Sequence, residues 1–424
     1  SGFTKYWASL EVDGADSKLA MVALALQDSL TNLDPELAAS DEIFVVVQRL
    51  ISYLAGTDPE RALVWAKQWL MNDTLEQAKV SIARNMAKTD VQRALSLTDE
   101  MTSPHRRGQA LAAVGGIWAA KDLEAATRWA SGLKNPAERG LTMNAVLLAA
   151  AQQDPSMAAN QLKTEAKSMN DEYVRDRNKD LAEKGVSEVD MANDPETYKE
   201  MLANGNVSTP YSPDVELLGD SGKVLGSKLG ESDGNGAADW ATSLETDYLK
   251  LKSLSGALEG WAKTDPYAAL EYVKNNYPNN SDLLRSLYSS WAANDPSGAA
   301  DGTMMIDDAT LRSIALESVI KSWSTNGNPQ EVVNYLNDIP PAEATDAVKL
   351  AAANAISQSS PQQAWEIAQT ISGESAQLRA LKAAFATMVI QDPVNAGAML
   401  NSAALSETAS VRLRDMLDAV VGNN

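Results

Sequence analysis

A dozen residues return along this chain, and their return constrains the fold more than any other feature. The stretch "GWAKTDPYAALEYV" at 260–273 has close variants in "LAGTDPERALVW" from Leu54, "WAAKDLEAATRW" from Trp118, "WAANDPSGAADG" from Trp291 and "MVIQDPVNAGAM" from Met388. With the Asp of the central Asp-Pro as position zero, anchors fall at Asp58, Asp90, Asp122 and Asp154, in three steps of 32 residues. They resume at Asp265, Asp295, Asn328, Ser360 and Asp392, with steps of 30, 33, 32 and 32. A fixed period of this size marks a repeat architecture in which each copy is one supersecondary unit.

The residues around the anchor say which unit. Asp, Asn and Ser all accept hydrogen bonds from the free NH groups of a helix's first turn, so the anchor reads as an N-cap. Proline follows it at Pro59, Pro155, Pro266, Pro296, Pro329, Pro361 and Pro393, with Val91 and Leu123 as departures. Proline suits the first helical position, where no NH donor is missed. Four residues past the anchor stands a small residue, Ala62, Ala94, Ala126, Ala158, Ala269, Ala299, Ala364 or Ala396, with Val332 the one larger member. Seven past it come Trp65, Leu97, Trp129, Tyr272, Tyr335, Ile367 and Met399, and this spacing describes one buried helical face. At position minus four, Leu54, Met86, Trp118, Trp261, Trp291, Ile356 and Met388 close a preceding helix. Starts of that helix are visible in "TSPHRR" from Thr102 and "KNPAER" from Lys134, a polar residue before proline.

Each copy therefore reads as two helices joined by short turns, a hairpin too small to bury both its faces alone. Stacked neighbours bury them jointly. The expected fold is all-α, an α-solenoid of about nine to eleven helix-turn-helix repeats of roughly 32 residues. The chain resembles the tetratricopeptide-like superfamily of helical-hairpin superhelices over residues 34–160 and 236–424, on its period, its hairpin grammar, and its small residues at fixed sites with a proline between repeats. The tetratricopeptide unit is about 34 residues long. The Trp, Leu-Gly and Tyr pattern of its first helix is absent here, so its peptide-binding positions are not carried over.

The array divides into residues 1–57, N-terminal helices and a divergent capping repeat with Asp34, Pro35 and Ala38; 58–162, regular repeats; 163–233, an irregular insertion; and 234–424, regular repeats and a C-terminal capping helix. In the second regular stretch Trp240 repeats the place of Trp129, with an anchor near Asp233 or Gly234. Within the insertion "MANDPETYKEML" from Met191 reads as a degraded joint at Asp194. The run "NGNVSTPYSPDVELLGDSGKVLGSKLGESDGNG" is rich in Gly, Ser, Pro and Asp and is expected to be a long loop.

Composition narrows the function classes. Apolar residues at 44% and ten tryptophans supply a core, and charged residues at 22% are ordinary for a folded protein. A formal charge of -21 argues against nucleic acid and anionic membrane as partners, since phosphate contact needs clustered Lys and Arg. No apolar run approaches the roughly 20 residues that span a bilayer, so no direct membrane insertion is expected. The stretch from Ser1 lacks a signal-like sequence, as in a processed or truncated chain, and a periplasmic or other extracytoplasmic location is compatible with the composition. With no cysteine, disulfides, thiolate catalysis and cysteine-ligated metals are excluded.

No motif announces catalysis, and no cofactor or metal is expected. His105 is the only histidine, so a serine triad or a histidine-ligated zinc site would lack its partners. It reads as a surface residue of a first turn. "DGADS" at Asp13 and "SDGNGAAD" at Ser232 have the flavour of calcium loops but lack the alternating acids and the closing Glu of a twelve-residue site. The tryptophans share repeat positions, which assigns them to the core rather than to a carbohydrate surface.

Two readings of function follow. The first is a non-enzymatic protein–protein interaction scaffold whose acidic superhelical groove receives a protein or peptide, a basic one by charge. The second is a cell-envelope glycan-binding protein or enzyme with a carboxylate site framed by the solenoid and the insertion. Partner contact is assigned to Tyr173, Tyr198 and Tyr211, aromatics outside the repeat grammar. Oligomeric state is not legible in the sequence.

Overall fold

The anchors cap helices as their chemistry requires. In the structure, a computed structural model that describes residues 41–183, 212–326 and 329–421, Asp58 accepts a hydrogen bond from the Arg61 amide at 3.1 Å. Asp90, Asp122, Asp154, Asp265, Asp295 and Asp392 each do the same for the amide three residues on, at 2.8–3.0 Å. Of the two candidates near residue 233, Asp233 is the anchor, accepting from the Gly236 amide at 3.0 Å. Ser360 occupies the same place without a side-chain cap bond, and Asn328 lies outside the described residues. The preceding helices start on Ser103 and Asn135, which accept from the Arg106 and Glu138 amides.

The result is all-helical among the described residues, with no strand. In chain order the α-helices are α1 (Asp41–Thr57), α2 (Pro59–Trp69), α3 (Asn72–Met86), α4 (Val91–Asp99), α5 (Pro104–Ala119), α6 (Leu123–Ser131), α7 (Pro136–Ala150) and α8 (Pro155–Glu183). A 3-10 turn at Pro213–Leu218 leads to α9 (Gly219–Ser232), α10 (Gly234–Thr242), α11 (Asp247–Trp261), α12 (Pro266–Asn276), α13 (Ser281–Asn294) and α14 (Pro296–Gly302). After a second 3-10 turn at Thr303–Met305 come α15 (Ala309–Asn326), α16 (Pro329–Asp338), α17 (Asp346–Ile356), α18 (Pro361–Gln369), α19 (Glu374–Gln391), α20 (Pro393–Ser402) and α21 (Glu407–Val421).

The chain forms two compact units, one of residues 1–225 with 244–249, the other of 226–243 with 250–424. In the first, the long helices α1, α3, α5 and α7 pack on one another in succession, and the short helices α2, α4 and α6 lie against the long ones on either side. The second unit repeats this with α13, α15, α17, α19 and α21 as the long series. Every small residue at position plus four is at most 2% exposed, so the close contact expected there is made. Position minus four is buried at Trp261 and Trp291, whereas Trp118 is half-buried. At plus seven, Leu97 is fully buried but Trp65, Trp129, Tyr272 and Tyr335 are only half-buried. The last three rings lie across the hairpin against the aromatic of the preceding helix: Trp118 on Trp129 at 5.5 Å between centroids, Trp261 on Tyr272 at 5.7 Å, Trp323 on Tyr335 at 5.5 Å.

The glycine-rich stretch before residue 236 is not a loop over its described part. Residues 213–218 are a 3-10 turn and 219–232 are α9. The glycines are there because another helix passes close. A Cβ on Gly226 would stand 2.2 Å from the Ser253 carbonyl oxygen, one on Gly230 2.3 Å from that of Ala257, and one on Gly260 2.0 Å from that of Ser227. Helices α9 and α11 thus meet backbone to backbone, a use of glycine that loses to loop formation in a reading by composition alone. The other departure is α8, which continues for 29 residues where the period calls for a turn, because no Gly, Pro or capping break interrupts 156–183. The degraded joint at Asp194 and the capping repeat at Asp34 lie outside the described residues.

Candidate interaction site

Side chains one repeat apart touch. Arg93 Nε and Nη2 donate to the two carboxylate oxygens of Glu60 at 2.6 and 2.9 Å, and Lys67 reaches Glu100 at 2.6 Å. These bridges join α2 to α4 and to Glu100, the residue that closes α4. Arg106 holds Asp73 at 2.9 and 2.7 Å, Arg139 holds Glu172 at 2.8 Å, and Lys263 holds Glu231 at 2.6 Å. Arg312 pairs with Glu343 in the same way. Others cap the carbonyls that end a helix in the previous repeat: Gln153 donates to Ala119 and Ala120, Lys121 to Lys88, and Ser290 to Glu259. Arginine hydrogen bonds hold Glu60 and Asp73 below the usual carboxylate range, and the Lys67 bond does so for Glu100.

The rung between Arg139 and Glu172 opens onto a buried polar cluster where α7, α8 and the 3-10 turn at 213–218 converge. Glu138 is buried beside Arg107, at 3.5 Å. Glu165 is buried and accepts from Ser131 at 2.8 Å and Gln161 at 2.9 Å. Buried Asn170 accepts the Ser212 amide at 3.1 Å, and Asn144 accepts the Ser221 amide at 2.9 Å. These bonds pin the chain that returns at residue 212 onto α7 and α8. Desolvation pushes the Asp214 carboxyl up, against the pull of Arg139. Arg107 and Arg139 face Glu138 and Glu172, Glu165 is met by the neutral donors Ser131 and Gln161, and the Nε atoms of both arginines are buried without a hydrogen-bond partner among the described residues.

Tyr173 projects from α8 next to Glu172 and is half-buried; Tyr198 and Tyr211 lie outside the described residues. His105 is exposed in the first turn of α5, 3.1 Å from Gln109. Asp233 serves its helix cap, and among the described residues no three His, Cys, Asp or Glu side chains gather as a metal site. No described helix is long and apolar enough to cross a membrane. A pocket of about 200 Å³ lies between α1 and α3, with Gln48, Ser52, Thr74, Gln77 and Ser81 as its polar lining. No titratable side chain lines it, so what it offers is hydrogen bonding. No family model matches this chain, and no curated protein does.

The rungs were missed in reading the sequence, although a signal existed. Aligned copies set acid against base one period apart at Glu60 and Arg93, Asp73 and Arg106, Arg139 and Glu172, and Glu231 and Lys263. Looking down each column of the repeat alignment conceals this; comparing each residue with the next copy exposes it.

Proposed function

We propose that the chain is a non-enzymatic scaffold, a tetratricopeptide-like α-solenoid that presents an extended acidic surface to a protein partner. The observation that carries this reading is the coincidence of two periods. Capped hairpins recur about every 32 residues, and polar side chains bridge neighbouring copies over that same interval. Copies that contact mainly their neighbours generate the long surfaces such arrays use for binding. The charge of -21 directs such a surface toward a partner with exposed Lys and Arg.

Two measurements test it. Small-angle scattering should give a radius of gyration well above the roughly 22 Å of a compact globule of this length. Proteins captured by the tagged chain from its source cells, when remade and mixed with it, should form a complex of fixed stoichiometry. A compact scattering envelope would remove the solenoid, and turnover of a glycan or peptide panel by the purified protein would replace the scaffold with an enzyme.

A further inference from the structure

One repeat breaks the pattern on its surface. Its short helix, α14, has seven residues where α12 has eleven, and at plus seven it carries Gly302 in place of a bulky side chain. The reason lies beneath: a Cβ on Gly302 would stand 2.3 Å from Cη2 of Trp291, and Tyr288 donates its hydroxyl to the Gly302 carbonyl at 2.8 Å. With the helix ended there, the turn at Thr303–Met305 brings out Met304 and Met305, which are 44% and 46% exposed. On α12, Tyr267 occupies plus two, an aromatic where other repeats carry Glu60, Gln92, Glu124, Ser156, Ser297, Gln330, Gln362 and Val394. It is 50% exposed and lies edge-on to the same Trp291, at 4.9 Å.

Tyr267 and the end of α14 thus meet the same indole, the turn that follows is tied down, and acids flank it in the chain. Lys274 donates to the Met305 carbonyl at 2.6 Å, which ties the turn to α12. Asp301, Asp307 and Asp308, on either side of the turn in sequence, and Glu271 on α12 are all exposed, Asp308 also accepting the Leu311 amide. The neighbouring cations do not balance them: Lys274 is directed at main chain, and Arg312 donates to the Ile306 and Asp307 carbonyls and pairs with Glu343. Methionine adapts to varied apolar anchors, and an acidic rim selects a cationic partner.

We propose that Tyr267, Met304 and Met305 form a docking surface for a basic amphipathic segment of a protein partner, its apolar anchors on the methionines and its Lys or Arg side chains on the flanking aspartates. The proposal rests on the scaffold reading and narrows it to one place and one chemistry. The probe is a synthetic leucine–lysine amphipathic helix, with its leucine–glutamate counterpart as control, titrated by fluorescence anisotropy. The intact protein should bind the lysine peptide and not the glutamate one. Met304→Ser with Met305→Ser should weaken binding about tenfold while leaving the melting temperature unchanged. Asp301→Asn with Asp307→Asn should weaken it severalfold and flatten its salt dependence. Ile390→Ser with Val394→Ser, which alters another exposed apolar pair, should leave it as it was. Equal affinity of the methionine variant and the parent would overturn the proposal, as would equal loss in the Ile390 and Val394 variant. Failure of the parent to bind the lysine peptide would remove this surface, and the scaffold reading would then be judged by partner capture alone.

Discussion

The two units follow one helical grammar and hold their copies together differently. Among the described residues, the charged side chains buried to nine-tenths or more are Glu76, Lys79, Glu138, Glu165 and Arg177, all in the first unit. Both units bury hydroxyls, among them Thr98, Thr142 and Ser221 in the first and Ser253, Thr303, Ser318 and Ser357 in the second, where three of them donate to carbonyls three or four residues back, at Ala300, Ile314 and Asn354. One apolar cluster in the second unit takes in residues from Ala238 to Leu413; in the first, a cluster takes in Val47 to Val114, and buried apolar residues continue past it at Met143, Leu162 and Leu218. Ring pairs such as Trp261 with Tyr272, Tyr288 with Trp291 and Trp365 with Phe385 accompany the core of the second unit. A hydroxyl satisfied on its own helix says nothing about its neighbour. Glu76, by contrast, is met by Lys79 at 2.8 Å and by the amides of Thr102 and Ser103, so it specifies which turn lies over it. Among the described residues the first unit selects its neighbours through buried charge and the second through shape, while ion pairs nearer the surface, such as Lys263 with Glu231 and Arg312 with Glu343, join copies in the second unit too.

The comparison breaks most visibly at Trp261. Its indole is 6% exposed, so Trp261→Ala should destabilise the second unit by about 3 to 5 kcal/mol, measured by denaturant unfolding. Trp129→Ala in the first unit removes a half-buried ring and should cost roughly half that. Equal costs would mean that aromatic packing matters alike in both units.

Next comes the buried charge. Glu76→Leu leaves the Lys79 ammonium with only the Glu100 carbonyl, at 3.2 Å, and should cost about 3 kcal/mol. Adding Lys79→Met should restore part of the loss, since a well-packed apolar pair replaces a buried ion pair without an uncompensated charge. A double variant less stable than the single one would show that the pair adds stability beyond compensation.

Smaller still are the caps, which ought not to distinguish the units. Asp58→Ala and Asp265→Ala each remove one bond to a first-turn amide and should each cost about 1 kcal/mol. A difference above that size between them would show that the anchor is coupled to the packing around it.

What was legible in the sequence was what is local. The Asp-Pro anchor, the alanine at plus four and the all-helical class follow from capping and spacing within one copy, and the structure places them as the residues dictate. What escaped needed two copies, or two helices, to be seen at once. Gly226 and Gly230 read as loop because only the passing backbone of Ser253 and Ala257 reveals why they are glycine. The half-burial of Trp129 and Tyr272 follows from their ring partners, and the Arg93 bridge to Glu60 from a residue a full period away. Met304 and Met305 were passed over for the opposite reason. They sit where the copies should agree, and it is the departure from the repeat that marks them.

The gentlest way to separate the units is pH. In the first, Glu60, Asp73 and Glu100 are held low mainly by hydrogen bonds from Arg93, Arg106 and Lys67. At Glu76 desolvation raises the carboxyl, and the Lys79 bond with the Ser103 and Thr102 amides outweighs it. Carboxyls lowered by folding add stability above the ordinary range near pH 4, and that stability is lost as pH falls through their folded values. Asp214, raised by desolvation, works the other way in the same unit. In the second unit burial raises the phenols of Tyr272, Tyr288 and Tyr335, the last to about 12. Phenols raised by folding add stability that is complete below about pH 10 and is lost as pH climbs through the folded value. Asp346, lowered by the Ser372 and Gly373 amides, gives the second unit a share of acid sensitivity. The first unit should therefore loosen first in acid and the second first in alkali. Since the chain has no cysteine, Gln68→Cys and Lys382→Cys each accept one dye on an exposed position, one per unit, and report the two midpoints separately. Coincident midpoints at both extremes would show that the units unfold as one, and that the contrast between charge and shape does not divide their stability.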